Sequence, residues 1–106
     1  MNSESFPGTL VISFPHPILS TNVAELRTTL AKQFADNPNC LGVEVNLEHC
    51  PTIDSSGLNL LAAVYRECIK REIPFKVTNP AHDIHRLLTI LKLNKRFGLP
   101  SLPTEP

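Results

Sequence analysis

Leu41-Gly42-Val43-Glu44-Val45-Asn46-Leu47, followed after a short turn by Ile53-Asp54-Ser55-Ser56-Gly57-Leu58, decides the fold of this chain. In the first stretch Leu41, Val43, Val45 and Leu47 alternate with Gly42, Glu44 and Asn46, the period-two pattern of a strand. The turn carries Cys50, Pro51 and Thr52. After Gly57 the period changes to that of a helix running to about Glu72. Leu58, Leu61, Ala62, Tyr65, Cys68 and Ile69 form its expected inner stripe, while Arg66, Glu67, Lys70 and Arg71 face water. A strand that passes through a tight polar turn into an amphipathic helix is half of a βαβ unit.

The same alternation extends in both directions. Upstream, Thr9-Leu10-Val11-Ile12-Ser13-Phe14 reads as a strand stopped by Pro15-His16-Pro17, since neither proline can donate to a ladder. A helix follows with Val23, Leu26, Leu30 and Phe34 as its stripe. Asn22 and Glu25 are spaced as a capping box at its start, and Pro38 ends it. Downstream, Ile73-Pro74-Phe75-Lys76-Val77-Thr78 is a third strand. Asn79 as cap and Pro80 at the first helical position open a third helix that buries Ile84, Leu87, Leu88 and Leu91. The resulting expectation is an α/β fold: a small mixed, largely parallel sheet of three to four strands packed with three helices. A short fourth strand would lie near Phe97 to Leu99. Residues 1–106 form one domain, with 1–8 and 99–106 as flexible ends, the latter Pro-rich.

Composition narrows the function classes. Ten Lys+Arg balance ten Asp+Glu, and there is no Trp and a single Tyr, so the basic, aromatic-rich footprint of a nucleic-acid binder is missing. The first residues lack a basic region followed by an apolar one, and no apolar run approaches the roughly 20 residues of a membrane span. A cytoplasmic protein without membrane insertion is expected. Cys40, Cys50 and Cys68 are odd in number and widely spaced, which argues against a disulfide framework or a zinc knuckle. His82 and His85 lack an evident further ligand, and His49-Cys50 lacks an evident third group. The four glycines are scattered and build no phosphate loop. No paired carboxylates are visible, so no enzyme activity, metal or cofactor is expected.

Asp54-Ser55-Ser56-Gly57-Leu58 is where chemistry can sit. The two serines stand where an N-cap is wanted, so their hydroxyls can accept from orphan backbone amides. Asp54 can brace the loop through its own backbone bonds. A helix N-terminus also favours anions, and a phosphoserine placed there would hold nearly two negative charges beside free N–H groups. Read without further context, the same residues make an ordinary capping loop.

From Val43 to about Phe97 the chain resembles a STAS domain of the anti-sigma-factor-antagonist family. The resemblance is carried by Val43-Glu44-Val45-Asn46-Leu47, Ile53-Asp54-Ser55-Ser56-Gly57-Leu58, Pro74-Phe75-Lys76-Val77-Thr78-Asn79-Pro80, the helix with Ile84, Leu87, Leu88 and Leu91, and Lys95-Arg96-Phe97. It implies that Ser55 is the phosphoacceptor, with Asp54, Ser56, Gly57 and Leu58 in the partner-binding loop. It implies as partners an anti-sigma factor that is itself an ATP-binding serine kinase, and a PP2C-type phosphatase that resets the switch. A non-phosphorylated adaptor of the same fold, of the transporter-associated type, is the alternative. Pro15-His16-Pro17-Ile18-Leu19 stands where the family carries a Gly- and Asp-bearing turn, and the family's last helix is absent or reduced to the Pro-rich tail.

Overall fold

β-branched residues, stiff at χ1 and well suited to a pleated surface, dominate the segments that pair. In the computed structural model, which describes residues 8–100, these segments are β1 (Thr9–Ser13), β2 (Gly42–Asn46) and β3 (Phe75–Thr78). They form one sheet in the order β1-β2-β3, every pair parallel. The expected fold class is therefore observed, with a sheet that is wholly parallel and three-stranded among the described residues. The ends expected over residues 1–7 and 101–106 lie outside the described residues.

Helices α1 (Val23–Asp36), α2 (Ser55–Arg71) and α3 (His82–Ile90) follow the strands in turn. Right-handed crossovers on a strand order that advances in one direction place α1 and α2 on the same side of the sheet. The register puts Leu10, Val43 and Phe75 in one row, and Ile12, Val45 and Val77 in the next. These rows share one core with Leu30 and Phe34 of α1, Leu60, Leu61, Val64 and Cys68 of α2, and Ile84 and Leu88 of α3. The alternate rows are more polar: Val11, Glu44 and Lys76, then Ser13, Asn46 and Thr78. Glu44 is nonetheless only 2% exposed, and Thr78 Oγ1 donates to its Oε2 at 2.7 Å. β2 is thus buried on both faces, as the middle strand of a parallel sheet should be. Leu41, expected as part of its apolar face, precedes the strand and is 68% exposed.

Several local expectations change. Asn22 does not close a capping box. Its Oδ1 accepts from Leu19 N at 2.9 Å and its Nδ2 donates to Pro17 O at 2.8 Å, so the side chain serves the proline-bearing turn behind it. α3 begins at His82, two residues later than a start at Pro80 requires, with Ala81 as N-cap. Asn79 instead takes a left-handed conformation, φ 53°, and its Nδ2 donates to Asn46 Oδ1 at 3.3 Å, a turn role that asparagine tolerates well. Leu91 is exposed rather than buried.

The segment expected to hold a fourth strand is a series of turns. Phe97 O accepts one ladder-like bond from Val77 N at 2.8 Å, and the Phe97 ring packs with Tyr65 and Phe75, centroids 5.9 and 5.3 Å away. Leu99 and Pro100, expected to be part of a flexible end, are held in place. Leu99 N donates to Asn94 O at 2.8 Å, and His85 Nε2 lies 2.7 Å from Pro100 O. At the other end Gly8 O accepts from Leu41 N at 2.8 Å.

Candidate functional site: the strand-to-helix junction at Asp54 and Ser55

Two loops meet at the start of α2. Ile18, fully buried, forms an isolated parallel bridge with Ile53. Its N–H donates to Thr52 O and its carbonyl accepts from Asp54 N, both at 3.2 Å. The Pro-rich loop that leaves β1 is thereby stitched to the loop that leaves β2. This gives the buried Ile18, which follows Pro17 in the turn, its role: it carries the seam between the loops.

Asp54 completes the junction. It is the N-cap of α2 in extended conformation, and its Oδ1 accepts from Gly57 N at 3.0 Å. Its Oδ2 accepts from Ser20 N at 2.9 Å, across thirty-four residues of sequence. One carboxylate therefore satisfies an orphan amide of α2 and an amide of the neighbouring loop. Asp54 braces the loop as expected, but chiefly through its side-chain carboxylate rather than its own backbone. The capping role expected of the serine hydroxyls is not, because the aspartate one residue earlier already occupies the cap. The Ser20 and then the Gly57 amides hold the Asp54 carboxyl below the usual aspartate range.

A depressed carboxyl pKa fixes the sign of a pH dependence. Asp54 contributes stability above its unfolded pKa, about 3.9, and loses it as pH falls through the lower folded value. Asp54→Asn is expected to melt at a lower temperature than wild type at pH 7, because an amide can accept from only one of the two N–H groups. The deficit should shrink as pH is lowered from about 4 toward 2. Thermal melts of both proteins across that range measure it, and parallel curves would show that the carboxylate is not anchored in this way.

Ser55 is the first residue of α2; it is exposed, and its side chain makes no hydrogen bond among the described residues. Ser56 and Leu58 are half-buried and Gly57 is buried. Gly57 has no room for a side chain. A Cβ built there would stand 2.5 Å from Ile18 O and 2.9 Å from Ile53 Cβ. The glycine thus lets the first turn of α2 press against the seam, and it sets the rotation of the helix. The buried face is Gly57, Leu60, Leu61, Val64 and Cys68, whereas Ile69, expected inside, is 57% exposed.

The other residues weighed from sequence do not join this site. Cys50 is buried, its thiol is pushed up by burial, and Sγ donates to Thr52 O at 3.5 Å. His49 is exposed, with Nε2 3.9 Å from Glu48 Oε1. His85 is taken up by Pro100 O. Among the described residues no three His, Cys, Asp or Glu side chains converge as metal ligands, and no helix is long and apolar enough to cross a membrane.

A parallel three-stranded sheet followed strand by strand by three helices, with an exposed serine at the start of the second helix, defines a small α/β domain. The sequence profile of the STAS domain matches residues 1–105, and the chain belongs to that family. No curated protein matches the chain in sequence. Among solved structures, the chain is similar to a sulfate transporter family protein from Wolinella succinogenes, with a TM-score of 0.73 at 15% identity, covering 92% of this chain and 80% of that one. That likeness is one of fold.

Proposed function

We propose that this STAS domain is a protein-binding module of the anti-sigma-factor-antagonist kind, released from its partner when Ser55 is phosphorylated. The observation that carries the reading is the state of Ser55: exposed, unbonded, and first in a helix whose cap is supplied by another residue. A kinase can reach this hydroxyl without undoing any contact. Asp54, Ser56, Gly57 and Leu58 surround it and form the contact loop. A phosphoryl group here adds about 1.5 to 2 negative charges beside the Asp54 carboxylate. The remaining N–H groups of the first turn stabilise that charge within the domain. A partner docked over the same loop meets it as repulsion and lost desolvation. In this reading the partner is an ATP-binding serine kinase with anti-sigma activity, a PP2C-type phosphatase reverses the modification, and the domain itself acts in the cytoplasm without enzymatic activity.

Phosphopeptide mapping of the protein isolated from its own cells tests the assignment. One phosphoryl group on the peptide containing Ser55, absent in Ser55→Ala, is expected. A second reading is favoured by one observation, the likeness to a sulfate transporter family protein: an adaptor that docks through α2 and its preceding loop without modification. It predicts an unmodified Ser55 in every growth condition and partner binding that Ser55→Ala leaves intact.

A further inference from the structure

A groove of about 420 Å³ lies between α1 and α2, apart from the Ser55 junction. Its floor is apolar, built by Leu30 and Phe34 of α1 and Leu60 and Val64 of α2. Ala31 and Ala63 line it as well, and their single methyl groups keep the space between the helices open.

The charges around this floor are uneven. At one end Arg71 is fully engaged. Its Nε donates to Glu67 Oε2 at 2.9 Å, its Nη atoms donate to Phe34 O and Asn37 O at 3.4 and 3.3 Å, and its guanidinium lies 4.9 Å from the Phe34 ring centroid. This clamp joins the end of α1 to α2 and fixes Phe34 in the floor, so the groove is formed in advance of any ligand. Toward the other end Arg27 is exposed and has no ion pair or hydrogen bond among the described residues. With Glu67 and Arg71 neutralising each other, the groove retains one positive charge, and it is on Arg27.

An apolar trough with one unspent cation is complementary to an apolar chain with one anionic head. We infer that this groove binds a medium-chain monocarboxylate, its alkyl chain along Leu30, Phe34, Leu60 and Val64 and its carboxylate on Arg27. The guanidinium fork matches a carboxylate in a bidentate manner. The inference stands apart from the Ser55 switch and does not depend on it.

Titration of the whole chain with decanoate, followed by calorimetry and by NMR shifts, tests it, with octanoate and decan-1-ol as comparison probes. Saturable binding is expected, with the largest shifts at Ala31 and Ala63. Loss of two methylenes from decanoate to octanoate should weaken it about four- to sixteenfold, two- to fourfold for each methylene in a trough open on one side. Decan-1-ol should bind about tenfold or more weaker than decanoate, since it lacks the charge-assisted bond. Arg27→Gln should remove that difference while leaving decan-1-ol binding and the melting temperature unchanged. Ala63→Phe should block both probes, and Ser55→Ala neither. Shifts that do not saturate, that centre elsewhere, or a decanoate affinity that Arg27→Gln leaves unchanged would overturn the assignment. So would an acidic amphipathic helical peptide that binds this groove where decanoate fails, because the occupant would then be a partner helix.

Discussion

Gly57→Ala is expected to lower the melting temperature by about 10 °C, although alanine is the better helix former. Host–guest scales favour alanine over glycine by about 1 kcal/mol in a helix interior. Here that gain is opposed by a Cβ placed 2.5 Å from the carbonyl oxygen of Ile18. That oxygen belongs to backbone, and it already accepts from Asp54 N at 3.2 Å, so no flexible side-chain end can move aside. Either the Ile18–Ile53 bridge opens or the first turn of α2 lifts away from it. Overpacking of this kind costs typically 1–3 kcal/mol, and more where the opposing atom cannot yield. A net loss of about 2 kcal/mol in a domain of this size corresponds to roughly 8–16 °C. The displacement should also pull Asp54 from Ser20, so the acid dependence of stability should weaken in the same variant. Asn59→Ala, two residues further along the exposed side of α2, is the control and should change little. Calorimetric melts of the three proteins decide the matter, and a Gly57→Ala protein as stable as the control would mean that the two loops do not meet as closely as described.

This contact also marks the border of what the sequence reveals. The strands, the three helices and their parallel arrangement follow from periodicity, because period two and period 3.6 are backbone properties that β-branched residues, prolines and caps reinforce locally. The rotation of α2 does not follow. Leu58, Leu60, Leu61, Ala62, Ala63, Val64 and Tyr65 make the apolar run almost continuous, and several faces of such a helix could turn inward. Gly57 selects one of them through its contact with Ile18, thirty-nine residues earlier. The caps show the same limit. Asn22 and Asn79 stand where local rules place a cap, yet each finds a partner outside its own helix: the Pro17–Leu19 turn for one, Asn46 for the other. At the candidate site, Ser55 and Asp54 were legible as a serine and a bracing carboxylate at a helix start. The second half of the brace was not, since Ser20 N comes from a loop that no short-range rule pairs with residue 54. The groove between α1 and α2 was equally hidden. It depends on the Arg71 clamp, which joins residues 34 and 37 apart from their targets in sequence.

If the domain is the phosphoserine switch proposed above, Ser55→Asp leaves the fold intact and weakens the complex with its serine kinase by about 30-fold or more. The two halves of this prediction rest on different physics. Within the domain, the replaced hydroxyl is exposed and unbonded, so nothing is lost when it goes. The new carboxylate stands at the positive end of α2, a favourable place for an anion, while its neighbour Asp54 opposes it with a like charge. These effects are of similar size and opposite sign, and the melting temperature should stay within a few degrees of wild type, consistent with exposed substitutions in general. Across an interface the balance is lost. In the proposed switch the partner's surface fits the neutral serine, so it must strip water from the new charge without a cation placed to meet it, at a cost of several kcal/mol. Even about 2 kcal/mol of it reduces affinity by roughly 30-fold. A phosphoryl group, with nearly twice the charge, should reduce it further. Ser55→Ala, which adds no charge and removes one exposed hydroxyl, should bind within about threefold of wild type. Calorimetry or surface binding with the kinase that phosphorylates the wild-type protein provides the numbers. If Ser55→Asp bound as tightly as Ser55→Ala, the contact surface would lie away from the start of α2, and the proposed switch would fall.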